Sequence, residues 1–437
     1  MSSRPFSNVR FSRRQAGKVA AGAALGSALV GGIPASRIFA QATPAAGEAE
    51  LEIFSWWTTA GEAAGLDELF KAFSAANPGV KVVNAAVAGG AGSNAQVALQ
   101  TRLSANQPPD SWQSHPGAEL KARYVDPGYT EAIDDLYTEQ KWDSAFPQGV
   151  IDLITVDGKK QLVPVGVHRG NVMFYNKEVL EKNGITVTDA WTMDDYFKAA
   201  DTLKAAGVPA LALGSKDTFA VVQLFENTLL AALGPDDFTK VWKGEVGWDD
   251  DRVTTAIQNL ARYFDSVNSD HAALTWDGAA DEVYAGKAAF TSMGDWLYGD
   301  ATAKEKQDAI GWVNHPGTDG AFVAVIDGFT LPKGAPHPVN AKNWLIAVGS
   351  KEAQEAFAPH KGAIPARSDA DASGFNDYMK WSAEAFGKDA VVPSLAHGSA
   401  ASPQFQSAVN DAIVSFIVDL DVETFQQALV DAQSDEG

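Results

Sequence analysis

The chain contains no cysteine. That absence excludes disulfides, thiolate zinc sites, iron–sulfur clusters and cysteine nucleophiles together. It also excludes a bacterial lipoprotein anchor, which is built on a cysteine at the cleavage site. Basic residues are scarce, with 34 Lys and Arg against 55 Asp and Glu and a formal charge of −21. Six of the basic residues (Arg4, Arg10, Arg13, Arg14, Lys18 and Arg37) fall within positions 1–42, which hold no acid. The remainder therefore carries a formal charge of −27. A phosphate backbone is bound through cations that displace its counterions, so nucleic acid is not an expected partner. The negative charge reads instead as a solvated, repulsive surface. Beyond the leader there is no apolar run long enough to span a membrane, and no tandem repeat, low-complexity tract or metal-spaced histidine pair. No metal or cofactor is expected.

A length of 437 residues exceeds a single compact core and predicts two lobes. A hydrophobic content of 46% with 20% charged residues is that of a globular protein. The first 42 residues have the pattern of an export signal. Phe11-Ser12-Arg13-Arg14-Gln15 precedes an apolar stretch from Val19 to Ile33, interrupted by glycines, and Ala40-Gln41-Ala42 supplies small residues for cleavage. The adjacent arginines resemble the twin-arginine class, whose cargo folds before export. The mature protein is expected to be soluble and exported, to start near Thr43, and to open with a linker over 43–50.

Leu51-Glu52-Ile53-Phe54 alternates as a strand, and Leu66, Leu69, Phe70 and Phe73 mark one face of a helix ended by Asn77-Pro78-Gly79. Val80 to Val83 reads as a second strand, and Val97 to Leu103 as a second helix. The pattern resumes with a strand over Leu162–Val167 and helices over Lys177–Asn183 and Met193–Ala206. Leu211-Ala212-Leu213 is strand-like, and a long helical region starts at Phe219. Such alternation predicts an α/β fold with mainly parallel sheets flanked by helices.

Several segments together resemble the extracellular solute-binding proteins of carbohydrate ABC importers, across nearly the whole mature chain. They are Phe54-Ser55-Trp56-Trp57 with Gly61-Glu62, Val163 to His168, Phe174-Tyr175-Asn176-Lys177 with Gly184, Trp191-Thr192, Leu203 to Gly207, Met293-Gly294-Asp295-Trp296 and Lys361 to Arg367. Gln113-Ser114-His115, His168-Arg169 and Leu395-Ala396-His397-Gly398 look closest to glucose- or mannose-binding members. The resemblance implies a two-lobed periplasmic-binding-protein fold of type II, with the ligand cleft between lobes that close by a hinge. It implies an N-terminal lobe of 51–165 plus about 323–362, and a C-terminal lobe of about 166–322 plus 363–437. It also implies a monomeric, non-enzymatic binder that delivers its solute to a membrane permease.

A sugar presents an apolar C–H face and a rim of hydroxyls, so its pocket needs aromatic planes and ionised or amide groups. Trp56 and Trp57 end a strand, where consecutive side chains point to opposite faces, so one lines the cleft while the other enters the core. The resemblance favours Trp57 as the lining residue, with Trp296 opposite it. Gly294 before Trp296 permits a turn that presents the indole. Glu62 and Asp327 are the expected hydroxyl-accepting carboxylates. Glu62 also suits the first turn of a helix, and Asp327 ends the apolar run from Ala321 to Ile326. Gln113, His115, His168, Lys361 and His397 complete the expected polar rim, although His115 departs from relatives that carry lysine there. Trp112, Trp142, Trp191 and Trp344 are read as structural, and His271, His315, His337 and His360 have no such context.

Gly89-Gly90-Ala91-Gly92-Ser93-Asn94-Ala95 contains G-x-G-x-x-A, but the only acid near the ribose position is Asp110, in a Pro-rich loop. The segment is therefore read as a turn lining the cleft. The rival functions are an exported carbohydrate-active enzyme working through Glu62 and Asp327, and a binder of another small polar solute on the same fold.

Overall fold

The computed structural model describes residues 49–89 and 92–434. The leader, its cleavage site and most of the linker lie outside the described residues. β1 (Glu50–Phe54) buries Leu51 and Ile53 on one face, and the helix Ala60–Ala76 covers it with Leu66, Leu69 and Phe73. Asn77 closes that helix by donating its amide to Phe73 O at 2.9 Å. β2 (Lys81–Asn84) and β3 (Ser111–Ser114) pair parallel with β1 on either side, and the helix Ser93–Ser104 joins them. A short hairpin of β4 (Thr155–Val156) and β5 (Lys159–Lys160) leads into β6 (Leu162–Arg169). All eight residues of β6 are buried, as are all ten of β10 (Ala321–Thr330), which is why each carries an uninterrupted apolar run, Leu162–Val167 and Ala321–Ile326.

After β6 the chain passes through Gly170 and Asn171 into a second sheet. β7 (Val172–Asn176) is its centre, with β8 (Phe290–Met293) and β9 (Ile310–Asn314) antiparallel on its two edges. The helices Met193–Ala205, Phe219–Val241 and Asp251–Tyr263 pack around this sheet. The second of them breaks at Gly234, ahead of Pro235. β10 (Ala321–Thr330) then returns to the first sheet, pairing antiparallel with β6 and β3. β11 (Ile364–Pro365) extends β6 antiparallel, and β12 (Ala390–Pro393) runs parallel beside the start of β10.

Mainly parallel pairing therefore holds around β1 but not in the second sheet. There, consecutive segments return by antiparallel neighbours, and Leu211 makes only isolated parallel bridges to Val267 and Phe290. Leu211–Leu213 is consequently not a strand of its own.

Two hydrophobic clusters result. One draws on residues between Leu51 and Val167 and between Phe322 and Ala366. The other draws on Val172 to Val325 and on Tyr378 to Ala432. β10 serves both, because its side chains alternate: Phe322, Ala324 and Ile326 enter the first core while Ala321, Val323 and Val325 enter the second. Among the described residues no helix is long and apolar enough to cross a membrane.

Candidate functional site

A cavity of about 360 Å³ lies between segments of the two cores. The first core contributes Trp56, Glu62, Gly89, Gly92, His115, Asp327 and Lys361, and the second contributes Asp217, Phe219, Trp276, Asp277, Trp296 and His397.

The chain leaves β1 extended, so Trp56 and Trp57 take opposite sides as alternation requires. The side taken by each reverses the expectation. Trp57 is 1% exposed and packs on Phe329 and Phe357, at centroid distances of 5.7 and 5.1 Å. Trp56 faces the cavity and tilts over His115 at 5.1 Å. Gly92, at φ +99°, sits against the Trp56 indole, and a Cβ there would lie 2.9 Å from the ring. A side chain at that position would thus clash with the cavity wall as well as strain the backbone. Gly89 and Gly92 both line the cavity, as expected of the glycine-rich turn, while residues 90 and 91 lie outside the described residues. Asp110 serves the fold instead, accepting Glu52 N and His337 N, each at 2.7 Å.

Asp327 lies within β10, not at its end, at the register shift where the strand passes Gly328. Gln113 Nε2 donates to its Oδ1 at 2.9 Å, and Gln113 Oε1 accepts Trp56 N at 3.2 Å. Gln113 is therefore a positioning residue behind the cavity wall. His168 also stands behind the wall, being fully buried and not lining the cavity. Its Nδ1 is 2.6 Å from Asp295 Oδ1, and its Nε2 is 3.0 Å from Asp327 Oδ2, off the line of a good hydrogen bond. Asp295 is oriented in turn by Arg169 N, which donates to Oδ2 at 2.9 Å. The two expected contacts Gln113 and His168 thus hold the carboxylate that faces the cavity.

Charge follows from this geometry. Burial alone would push His168 down, but Asp295 and Asp327 on its two nitrogens raise it above the ordinary histidine value. Burial likewise opposes ionisation of Asp327, yet His168, Lys361 and His115 hold it well below the usual carboxylate range. His115 is raised against its own burial by Glu119 and Asp327, 3.4 and 3.5 Å from its two nitrogens. His397 takes the opposite course: burial, with His115 nearby, drives it well below the ordinary value.

Glu62 stands in the first turn of its helix and also accepts Lys361 Nζ at 2.8 Å. The Lys361 ammonium lies 5.4 Å from the Trp57 ring centroid and 5.7 Å from that of Trp296. Trp296 opens the helix Trp296–Ala303 and meets His397 edge to face at 5.0 Å. Gly294 does not act by a positive φ; it leaves room for the Trp296 ring, which a Cβ would overlap. Trp112, Trp142, Trp191 and Trp344 are all buried in the cores. The reading of the sequence missed Asp217, Phe219, Trp276 and Asp277. The only local signal for them is that each pair stands at a helix start beside a threonine.

Two α/β cores sharing a polar and aromatic cavity form the architecture of a small-solute binder that holds its ligand between lobes. The chain belongs to the bacterial extracellular solute-binding proteins, whose family model matches residues 56–355. An uncharacterized ABC transporter extracellular-binding protein of Pyrococcus horikoshii is 37% identical over 385 residues, covering 88% of this chain and 87% of its own. The xylose/arabinose-binding protein of Haloferax volcanii is 28% identical over 400 residues, covering 89% and 85%. A solved bacterial solute receptor described as preferring β-D-galactopyranose superposes with a TM-score of 0.79 at 22% identity, covering 89% of this chain and 99% of its own. The two-lobed fold is thereby shown.

Proposed function

We propose that this protein is the sugar-capturing subunit of an ABC importer, taking one monosaccharide into the cavity and presenting it to a membrane permease. The observation that carries the reading is the composition of one wall-to-wall site, in which the indoles of Trp56 and Trp296 share a cavity of about 360 Å³ with Glu62, Lys361, Asp327, His115 and His397. That volume is near the lower end of the ~300–1,000 Å³ usual for small-molecule sites and suits one ring. Glucose and mannose are the first sugars to try, with galactose and xylose next.

In this mechanism Trp56 replaces Trp57 as the platform for one apolar face, and Trp296 offers the second. Asp327 and Glu62 accept hydroxyl hydrogens, while Lys361 donates. Lobe closure then removes the sugar from water. The enzymatic alternative through Glu62 and Asp327 is disfavoured. Glycoside cleavage needs a carboxyl held protonated, whereas Asp327 is held ionised and Glu62 is paired with Lys361. Export follows from the twin-arginine-type leader, with cleavage near Ala42, which N-terminal sequencing of the secreted protein tests.

Isothermal calorimetry with glucose, mannose, galactose and xylose tests the function itself. Saturable one-to-one binding without product is expected, whereas sugar turnover, or no heat from any monosaccharide, would overturn the reading.

A further inference from the structure

We propose that Glu226, acting through Ser394, holds His397 as its Nδ1–H tautomer, so that an unprotonated Nε2 faces the cavity and accepts a hydroxyl hydrogen from the bound solute. That the occupant is a sugar rests on the function proposed above; the tautomer does not.

Glu226 is fully buried on the helix Phe219–Val241 and does not line the cavity. Its Oε2 accepts Leu395 N at 2.8 Å and Ala396 N at 3.1 Å. Ser394 Oγ lies 3.0 Å from both of its carboxylate oxygens. The same Oγ is 3.2 Å from His397 N and 3.0 Å from His397 Nδ1. A serine hydroxyl has one hydrogen and two lone pairs, and an ionised carboxylate can only accept. With Glu226 ionised, the hydrogen therefore goes to its carboxylate, and the two lone pairs take the His397 backbone N–H and Nδ1–H. The opposite assignment would set an oxygen lone pair against the carboxylate and leave Oε1 without a donor among the described residues, which is costly when buried.

The turn is held from its other side as well. Gln406 Nε2 donates to Leu395 O and Ala396 O at 2.9 and 3.1 Å, and Ser394 N donates to Ser399 Oγ at 2.9 Å. The ring itself is fixed by Trp296 at 5.0 Å, His115 at 5.5 Å and Phe219 at 6.3 Å. His115, His168, Asp327 and Lys361 are the charged or titratable groups acting on it, and burial keeps the ring neutral among them. A neutral ring with Nδ1 committed as a donor has only a lone pair to offer at Nε2.

Two-bond proton–nitrogen NMR of isotopically labelled histidine tests the assignment without any ligand. Burial pushes Glu226 up to about 7, so the spectrum is taken at about pH 8.5, where the carboxylate is ionised. The signals that His397→Gln removes should report Nδ1–H. In Glu226→Gln the amide donates to Ser394 Oγ, freeing the hydroxyl to donate to Nδ1 and flipping the ring to Nε2–H. Ser394→Ala should abolish the single tautomer, and it decides the matter if Glu226→Gln does not fold. An Nε2–H ring in the wild-type protein, or an unchanged Nδ1–H ring in the folded variants, would overturn the proposal.

D-glucose, D-galactose and D-xylose are then titrated into wild-type protein and Glu226→Gln. A sugar that binds should lose about tenfold in affinity, and unchanged affinity beside a flipped ring overturns the ligand-facing half. If none of the three binds, the proposed function fails while the spectrum still judges the tautomer.

Discussion

Two buried histidines pack against Trp296, His168 at 6.0 Å and His397 at 5.0 Å, and their pKa values move in opposite directions. His168 has a carboxylate at each nitrogen, so the cost of burying a cation is offset locally and its pKa rises. His397 meets a serine hydroxyl on one nitrogen and aromatic rings around it; burial and the neighbouring His115 outweigh the pull of Asp327, and its pKa falls well below the ordinary value. Each histidine has a carboxylate on its Nδ1 side, Asp295 or Glu226. The difference is that Asp295 touches the ring directly, while Glu226 reaches it through a hydroxyl. Burial alone therefore does not decide protonation in this protein; the atom in contact does.

The largest way to break that contrast is Asp327→Ala. It leaves His168 and His115 buried without their shared carboxylate, and removal of one partner from such a cluster costs about 3–5 kcal/mol. Chemical denaturation should register that loss, and sugar binding should vanish with it. Trp57→Ala should cost a similar ~3–5 kcal/mol by opening the first core. In the refolded fraction it should disturb sugar affinity far less than Trp56→Ala does.

The next test uses pH. Asp327 is depressed, so its stabilisation is present above the unfolded value near 4 and is lost as pH falls through the folded value. Glu226 has the opposite sign. Raised to about 7, it favours the folded state most below the unfolded value and loses that advantage as pH rises through 7. The stability of Glu226→Gln relative to wild type should therefore improve between pH 5 and pH 8, by on the order of 3 kcal/mol. A flat difference in denaturation midpoints would remove the contrast. The smallest expected effect is that of Trp56→Ala, which should weaken sugar binding about tenfold by calorimetry and barely move the melting temperature.

The fold was largely legible because its central strands are buried on both faces. β6 and β10 carry the apolar runs Leu162–Val167 and Ala321–Ile326, and the helix faces of Leu66, Leu69 and Phe73 or of the Met193 segment follow the helical period. Strand direction was not legible, because parallel and antiparallel neighbours demand the same apolar side chains. The site was legible where a helix end carries its residue, as at Glu62 and Lys361, and where a charge interrupts an apolar run, as at Asp327. Alternation showed that Trp56 and Trp57 diverge but carries no information on which face is the core. His168 and Gln113 have the chemistry of contact residues, and only the register of β6 and β3 against β10 sets them behind Asp327. Trp276 and Asp217 reach the cavity through packing between distant segments, which leaves no periodic trace.

Three glycines bear on how the cavity is built. Gly61, Gly299 and Gly362 bring the helix Ala60–Ala76, the helix Trp296–Ala303 and the end of the helix Lys351–Lys361 into backbone contact. A Cβ at Gly61 would lie 2.7 Å from both the Gly299 carbon and the His360 oxygen. Glu62, Trp296 and Lys361 each stand within a few residues of this contact. That side of the cavity is therefore a tight backbone contact on which Glu62, Trp296 and Lys361 stand together. The opposite rim of the cavity is formed by Gly89, Gly92, Asp217, Phe219, Thr275, Trp276 and Asp277. On the proposed function, an arriving solute meets Glu62, Trp296 and Lys361 already assembled, and the ordering entropy of binding falls on the other groups.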